Sequence, residues 1–144
     1  MRDSVFLLSN DLHSLLKSNK SLQTGGGFLI GGSKGIGNAI INALVSENVI
    51  INISRTAPLQ PHSNLTHYSC DILTDELPKI EDIDTLIYCP GSINLKPILR
   101  LKLDEFRNDF EINVIGAVKA IQYYLPALKK GHNPSILLFS TVAA

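Results

Sequence analysis

The chain has 144 residues, 44% of them hydrophobic, enough for one domain that buries about two-thirds of its unfolded surface. Thirteen Lys and Arg balance thirteen Asp and Glu, which excludes the one-signed electrostatic footprint of a nucleic-acid or polybasic membrane binder. No segment reaches membrane-spanning length, the apolar run Val5 to Leu8 is too short for a secretory leader, and two cysteines, Cys70 and Cys89, each ending or following an apolar run, fit reduced thiols better than a disulfide framework. The expectation is a soluble cytoplasmic protein with reduced thiols, bound to neither nucleic acid nor membrane and without a metal centre.

In chain order, Val5, Leu8, Leu12, Leu15 and Leu16 recur at helical spacing within residues 3–19, which predicts an extra N-terminal helix, with a polar, Gly-containing link running to residue 24. From residue 25 the main domain begins. Phe28 to Gly37, F-L-I-G-G-S-K-G-I-G, is a short apolar run that breaks into glycines and then into a helix beginning near Gly35. Glycines 31, 35 and 37 allow a tight turn, a close approach of backbone to a pyrophosphate, and close helix–strand packing. The helix N-terminus, with unpaired N–H groups and the positive end of the macrodipole, would face the anion. Gly31, Ser33, Lys34, Gly35, Ile36 and Gly37 are the expected cradle. A glycine trio alone also fits a tight turn that binds nothing. Here Ile36, Ala39, Ile40, Ala43 and Leu44 follow at helical spacing, and Val49 to Ile53 close a strand, helix, strand unit of the length a dinucleotide-binding fold requires.

Residues 56–64, rich in Pro, Ser and Asn, read as a loop, and strands are expected at 65–69 and 84–88 around an acidic segment. Phe106, Phe110, Val114, Val118, Ile121, Leu125 and Leu128 form one apolar stripe on a helix from Asp104 to Lys130, with a kink expected at Pro126. A last strand covers 135–140. Alternating strands and helices predict an α/β fold, a Rossmann-type doubly wound parallel sheet of about five strands in the order 3-2-1-4-5.

From about residue 27 onward the chain resembles the N-terminal part of a short-chain dehydrogenase/reductase. The family's Thr-Gly-x-x-x-Gly-x-Gly loop is matched by Gly31, Gly35, Ile36 and Gly37, with Ile30 in place of the threonine. The family Asp that contacts adenine matches Asp71, followed by Ile72. The family's Asn-Asn-Ala-Gly reads Tyr88, Cys89, Pro90, Gly91, so only the glycine survives. The resemblance implies that Asn113 is the active-site Asn of the long helix, and that the catalytic Ser position falls on Thr141, with Ser140 beside it. Each has a plainer alternative: Asp71 as a cap, Asn113 as a structural Asn, Thr141 as an ordinary strand residue, Cys89 and Pro90 as a turn.

Cofactor identity follows from charge. NAD-binding versions of this fold place a carboxylate at the end of the second strand; this chain has Ser54 and then Arg55. Arg55 and Lys34 would pair with a 2′-phosphate, which favours NADP over NAD. The family's proton donor is a Tyr four residues ahead of a Lys. None of the tyrosines 68, 88, 123 and 124 has that Lys, so proton transfer is expected to lie in sequence beyond this chain or in another subunit, and turnover by the chain alone to be slow or nil. Strand 135–140 is expected to be an unpaired apolar edge, and helix 104–130 to mediate a homo-oligomer. The leading reading is an NADP-dependent oxidoreductase acting on a small carbonyl or alcohol; the others are a non-catalytic NADP-binding or regulatory module and an incomplete gene product.

Overall fold

The protein is represented by a computed structural model that describes residues 26–132 and 134–139. The expected N-terminal helix of residues 3–19, Ser140 and Thr141 lie outside the described residues. The elements are β1 (Gly27–Ile30), α1 (Gly35–Leu44), β2 (Ile50–Ser54), β3 (Leu65–Ser69), β4 (Thr85–Tyr88), α2 (Leu103–Phe110), α3 (Gly116–Leu128) and β5 (Ser135–Leu138), with a π-helical turn at Glu111–Ile115 joining the last two helices. All strand pairs are parallel and their order is β3-β2-β1-β4-β5, as the alternation of elements predicts.

Period-two alternation divides the core. Phe28 and Ile30 of β1 join Ile53, Leu86 and Tyr88 on the face covered by α3, while Leu29 joins Ile50 and Ile87 under α1. The strands β1 and β4 are neighbours whose following helices leave to opposite faces. Their carboxyl ends therefore border the crevice in which open α/β sheets bind ligands.

Two expectations are corrected. The buried face of α1 consists of Gly37, Ile40, Ile41 and Leu44, whereas Ile36, Ala39 and Ala43 of the expected stripe are exposed. Gly37 sets this rotation, because it alone lets the helix lie against the Gly31 carbonyl. The first half of the stripe on the long helix likewise misses the core, whereas Leu128 is buried and Ile121 and Leu125 pack against the core as expected. Phe106, Phe110, Val114 and Val118 are 62%, 51%, 41% and 45% exposed. The buried residues of α3 are Gly116, Ala117, Ala120, Tyr124 and Leu128, and the Tyr124 ring packs tilted against Phe28 with centroids 4.4 Å apart. The β2–β3 connection is the loop expected at 56–64, and the β3–β4 connection likewise contains no helix. Between β3 and β4, Ile72, Leu77 and Ile83 are buried directly, and backbone carbonyls that a helix would satisfy internally are taken by α3. Lys119 Nζ donates to Leu73 O at 3.0 Å, the Tyr123 hydroxyl to Leu77 O at 2.8 Å and the Tyr124 hydroxyl to Pro78 O at 3.0 Å.

At the start of α3, Gly116 leaves room for the hydroxyl of Tyr88, which a Cβ at that position would overlap. That hydroxyl donates to Ile112 O at 2.6 Å. Gly116→Ala is expected to break this bond and lower stability by roughly 2 kcal/mol, the cost of orphaning a buried polar pair. Tyr88→Phe in the same chain removes the obstacle, so the double variant in a denaturant melt should cost clearly less than the two single losses added together. Additive losses would show that the hydroxyl and the glycine do not oppose each other.

Candidate functional site

The loop after β1 is held on three sides. Gly31 has φ +88°, a region that a side chain disfavours, and its N–H donates to Ile53 O at 2.7 Å. A Cβ there would meet the Pro90 ring at 2.9 Å, and a Cβ on Gly37 would overlap the Gly31 carbonyl oxygen. The expected residues Gly31, Gly37 and Pro90 are thus brought together where β1 and β4 end. Gly35 has φ +59° and borders open space. Ser33 is half-buried and Lys34, Gly35 and Ile36 are exposed. No side chain caps α1 and its first turn has no acidic residue, so its leading N–H groups and positive dipole end face outward. A turn of glycines that closes beneath an uncapped helix start fits a phosphate.

Sequence reasoning missed the residue that holds this loop from below. Asn52 is fully buried in β2. Its Oδ1 accepts the Gly32 N–H at 2.9 Å, and its Nδ2 donates to Ser54 Oγ at 2.9 Å and lies 3.0 Å from His67 Nδ1. The available signal was one amide inside the apolar run I-I-N-I, which burial obliges to find partners. Ser54 Oγ in turn donates to Thr56 O at 2.8 Å.

Ser54 therefore turns inward, and the group presented at the end of β2 is Arg55. Its side chain is 71% exposed, with Nη1 3.9 Å from Asp71 Oδ2. Asp71 Oδ1 accepts the Leu73 N–H at 2.9 Å, so Asp71 caps its own turn while its second oxygen faces the guanidinium. Ile72 has its side chain in the core, leaving only its backbone for the crevice. Lys34 has no ion-pair partner among the described residues.

On the β4 side, Cys89 N–H donates to Ile30 O at 2.9 Å, and burial pushes the Cys89 thiol up to about 12, which makes it a poor nucleophile. Burial, aided by the Asp71 charge, pushes the Tyr88 phenol up to about 12; it acts as a donor to Ile112. Gly91 adjoins the Asn113 side chain, which holds Ser92 with both its groups: Oδ1 accepts the Ser92 N–H at 2.9 Å and Nδ2 donates to Ser92 O at 2.7 Å. Asn113 lies inside the π-helical turn, a device common at functional sites.

Asp109 also went unread, since an acidic residue on an exposed helix face carries no distinguishing pattern. It accepts Ser92 Oγ at 2.6 Å and the Asn94 N–H at 2.8 Å, and these bonds hold its carboxyl below the ordinary value of 3.8. Because the folded value is the lower one, this contribution is complete above 3.8 and is lost as pH falls through the depressed value. Acidification should therefore release the Asn94 amide to hydrogen exchange before the sheet amides. Simultaneous release of loop and sheet would contradict the assignment.

Comparisons with known proteins bear on this geometry. A family model described as short chain dehydrogenase matches residues 69–144. An uncharacterized oxidoreductase of Schizosaccharomyces pombe is 27% identical, with 80% of this chain aligned to 53% of the relative. Among solved structures, ElxO with NADP bound is 21% identical with a TM-score of 0.68, covering 82% of this chain and 56% of that one. A short chain dehydrogenase of Leptospira borgpetersenii with bound NAD+ is 19% identical with a TM-score of 0.61, covering 78% and 50%. The chain spans about half the length of the curated relatives it matches. The structural likenesses establish the fold; the family model, which covers just over half of the chain, establishes membership, and this protein belongs to the short-chain dehydrogenases.

Proposed function

We propose that this chain is the cofactor-binding part of an NADP-dependent oxidoreductase that interconverts a carbonyl and an alcohol on a small molecule. The observation that carries the reading is the end of β2, where Ser54 turns inward to Thr56 and the exposed Arg55 guanidinium is presented in place of a carboxylate. A guanidinium pairs with a 2′-phosphate through charge-assisted bonds, whereas a carboxylate would repel it. Gly31, Ser33, Lys34, Gly35, Ile36 and Gly37 hold the pyrophosphate, Lys34 and Arg55 the 2′-phosphate, and Asp71 with the Ile72 backbone the adenine. Cys89, Pro90 and Gly91 line the other wall. Hydride transfer is the chemistry that the nucleotide supplies when bound. Asn113 and Thr141, with Ser140, serve the substrate end. A homo-oligomer through helix 104–130 belongs to the same reading, supported by the exposed stripe Phe106, Phe110, Val114 and Val118. So does a reducing cytoplasmic location, in keeping with the free thiols of Cys70 and Cys89.

One observation favours the second reading, a binding module without turnover. Both side-chain groups of Asn113 are already engaged by Ser92. Fluorescence titration of the folded chain with NADPH should saturate, and with NADH should require far higher concentration. No saturation with either nucleotide would defeat both readings, and carbonyl reduction by the chain over a broad aldehyde and ketone panel would exclude the second.

A further inference from the structure

We propose that Asn52 is a positioning residue for the pyrophosphate loop, acting through the Gly32 backbone. The proposal rests on the nucleotide-binding reading above, but on observations that reading does not use. Asn52 is fully buried in the middle strand of the three that border the loop on the β3 side, and its amide can be oriented in only one way. Ser54 Oγ donates onward to Thr56 O, so it receives one Nδ2 hydrogen at 2.9 Å. His67 Nδ1, 3.0 Å away, receives the other, which requires that ring nitrogen to be unprotonated. With both donors committed, Oδ1 must face the loop, where it accepts the Gly32 N–H at 2.9 Å.

The consequence is directional. Neighbouring N–H groups of a phosphate loop converge on the anion, but the Gly32 N–H is committed inward. That inward bond fixes the peptide plane preceding Gly32, and so the Gly31 carbonyl against which Gly37 and the start of α1 are seated. A Cβ on Gly32 would overlap Asn52 Oδ1 and Ile41 Cδ1, so the loop backbone lies directly on the amide with no room for slack. Asn52 therefore ties the loop to β2 and, through His67, to edge strand β3.

The test compares ligands that both present a 2′-phosphate to Arg55 and the Lys34 side chain but differ in whether they carry the pyrophosphate that the loop backbone holds. In the full chain carrying Asn52→Leu, which replaces the amide by an apolar group of similar volume, NADPH binding should weaken about ten-fold or more, the equivalent of one buried hydrogen bond lost. Binding of adenosine 2′-monophosphate, which reaches Arg55 but has no pyrophosphate, should stay within two-fold of the parent. Hydrogen exchange at Gly32 should accelerate in the variant while the amides of β1 and β4 stay protected. The inference is overturned if folded Asn52→Leu binds NADPH as tightly as the parent, or if both ligands weaken equally, which would mark a general structural role. If Asn52→Leu does not fold, the parent decides: a Gly32 amide that exchanges as fast as an unbonded loop amide overturns the inference, and a protected one that NADPH protects further supports it. Failure of the folded parent to bind NADPH would overturn the nucleotide reading and this inference together, an outcome distinct from a defect confined to the variant.

Discussion

Replacing Arg55 by Asp should weaken NADPH binding by roughly two orders of magnitude and bring NADH affinity level with it or above. Two effects add. The charge-assisted bonds of one guanidinium to the 2′-phosphate, worth about 1.5–3 kcal/mol, disappear, and a carboxylate is placed beside a dianion. Against NADH, which carries a free 2′-hydroxyl, the same carboxylate becomes a hydrogen-bond acceptor. The fold should hardly notice, because the pair that Arg55 makes with Asp71 is long at 3.9 Å and the guanidinium is largely exposed, a setting worth little to stability. The measurement is a pair of fluorescence titrations, with a thermal melt to show that the variant is folded. Unchanged NADPH affinity in a folded variant would remove Arg55 from the site and with it the argument for NADP.

Gly37→Ala should have the largest effect on the loop itself. A methyl there occupies the position of the Gly31 carbonyl oxygen, an obstacle made of backbone that no rotamer change can move aside. Either α1 lifts from the sheet, loosening Ile40, Ile41 and Leu44 from the core, or the turn at Gly31 opens against Pro90. Overpacking of this kind costs roughly 2–3 kcal/mol, or a fall in Tm of roughly 5–12 °C for a domain of this size. Nucleotide uptake should be lost even at temperatures where the variant stays folded, since the helix start no longer faces the phosphate. Gly35→Ala makes the informative contrast. It meets no neighbouring atom, so its cost is the strain of φ +59° alone. Equal losses for the two substitutions would mean that backbone conformation, and not the seat of α1 on the Gly31 carbonyl, governs the loop.

The sheet was legible because its determinants are local. Apolar runs such as Phe28–Ile30 and Ile50–Ile53 announce strands covered on both faces, glycines 31, 35 and 37 announce a turn into a helix, and the alternation of such units restricts how parallel strands can be ordered. Helix faces were misread where one residue's contact outweighed the pattern. On α1 the single approach of Gly37 to Gly31 rotated the buried side away from Ala39 and Ala43. Along the long helix the most apolar residues, Phe106 and Phe110, turned out to be the exposed ones, because the surface against the sheet needed Gly116, Ala117 and Ala120 to bring Tyr124 onto Phe28.

From the sequence alone came the family resemblance, the strand order and the cluster of glycines at one end of the sheet, because each depends on residues near one another in the chain and on packing rules common to all parallel sheets. Tertiary structure alone decided which polar groups meet: Asn52 beneath Gly32, the Tyr88 hydroxyl against the π-helical turn, Asp109 on Ser92 and Asn94, and Arg55 beside Asp71. These partners lie 15 to 24 residues apart in sequence or hang on a single side-chain orientation. Hydrogen bonding is short-ranged and directional, so no periodicity along the chain reports it. Only the folded backbone, by carrying each donor to within about 3 Å of its acceptor, selects the pair.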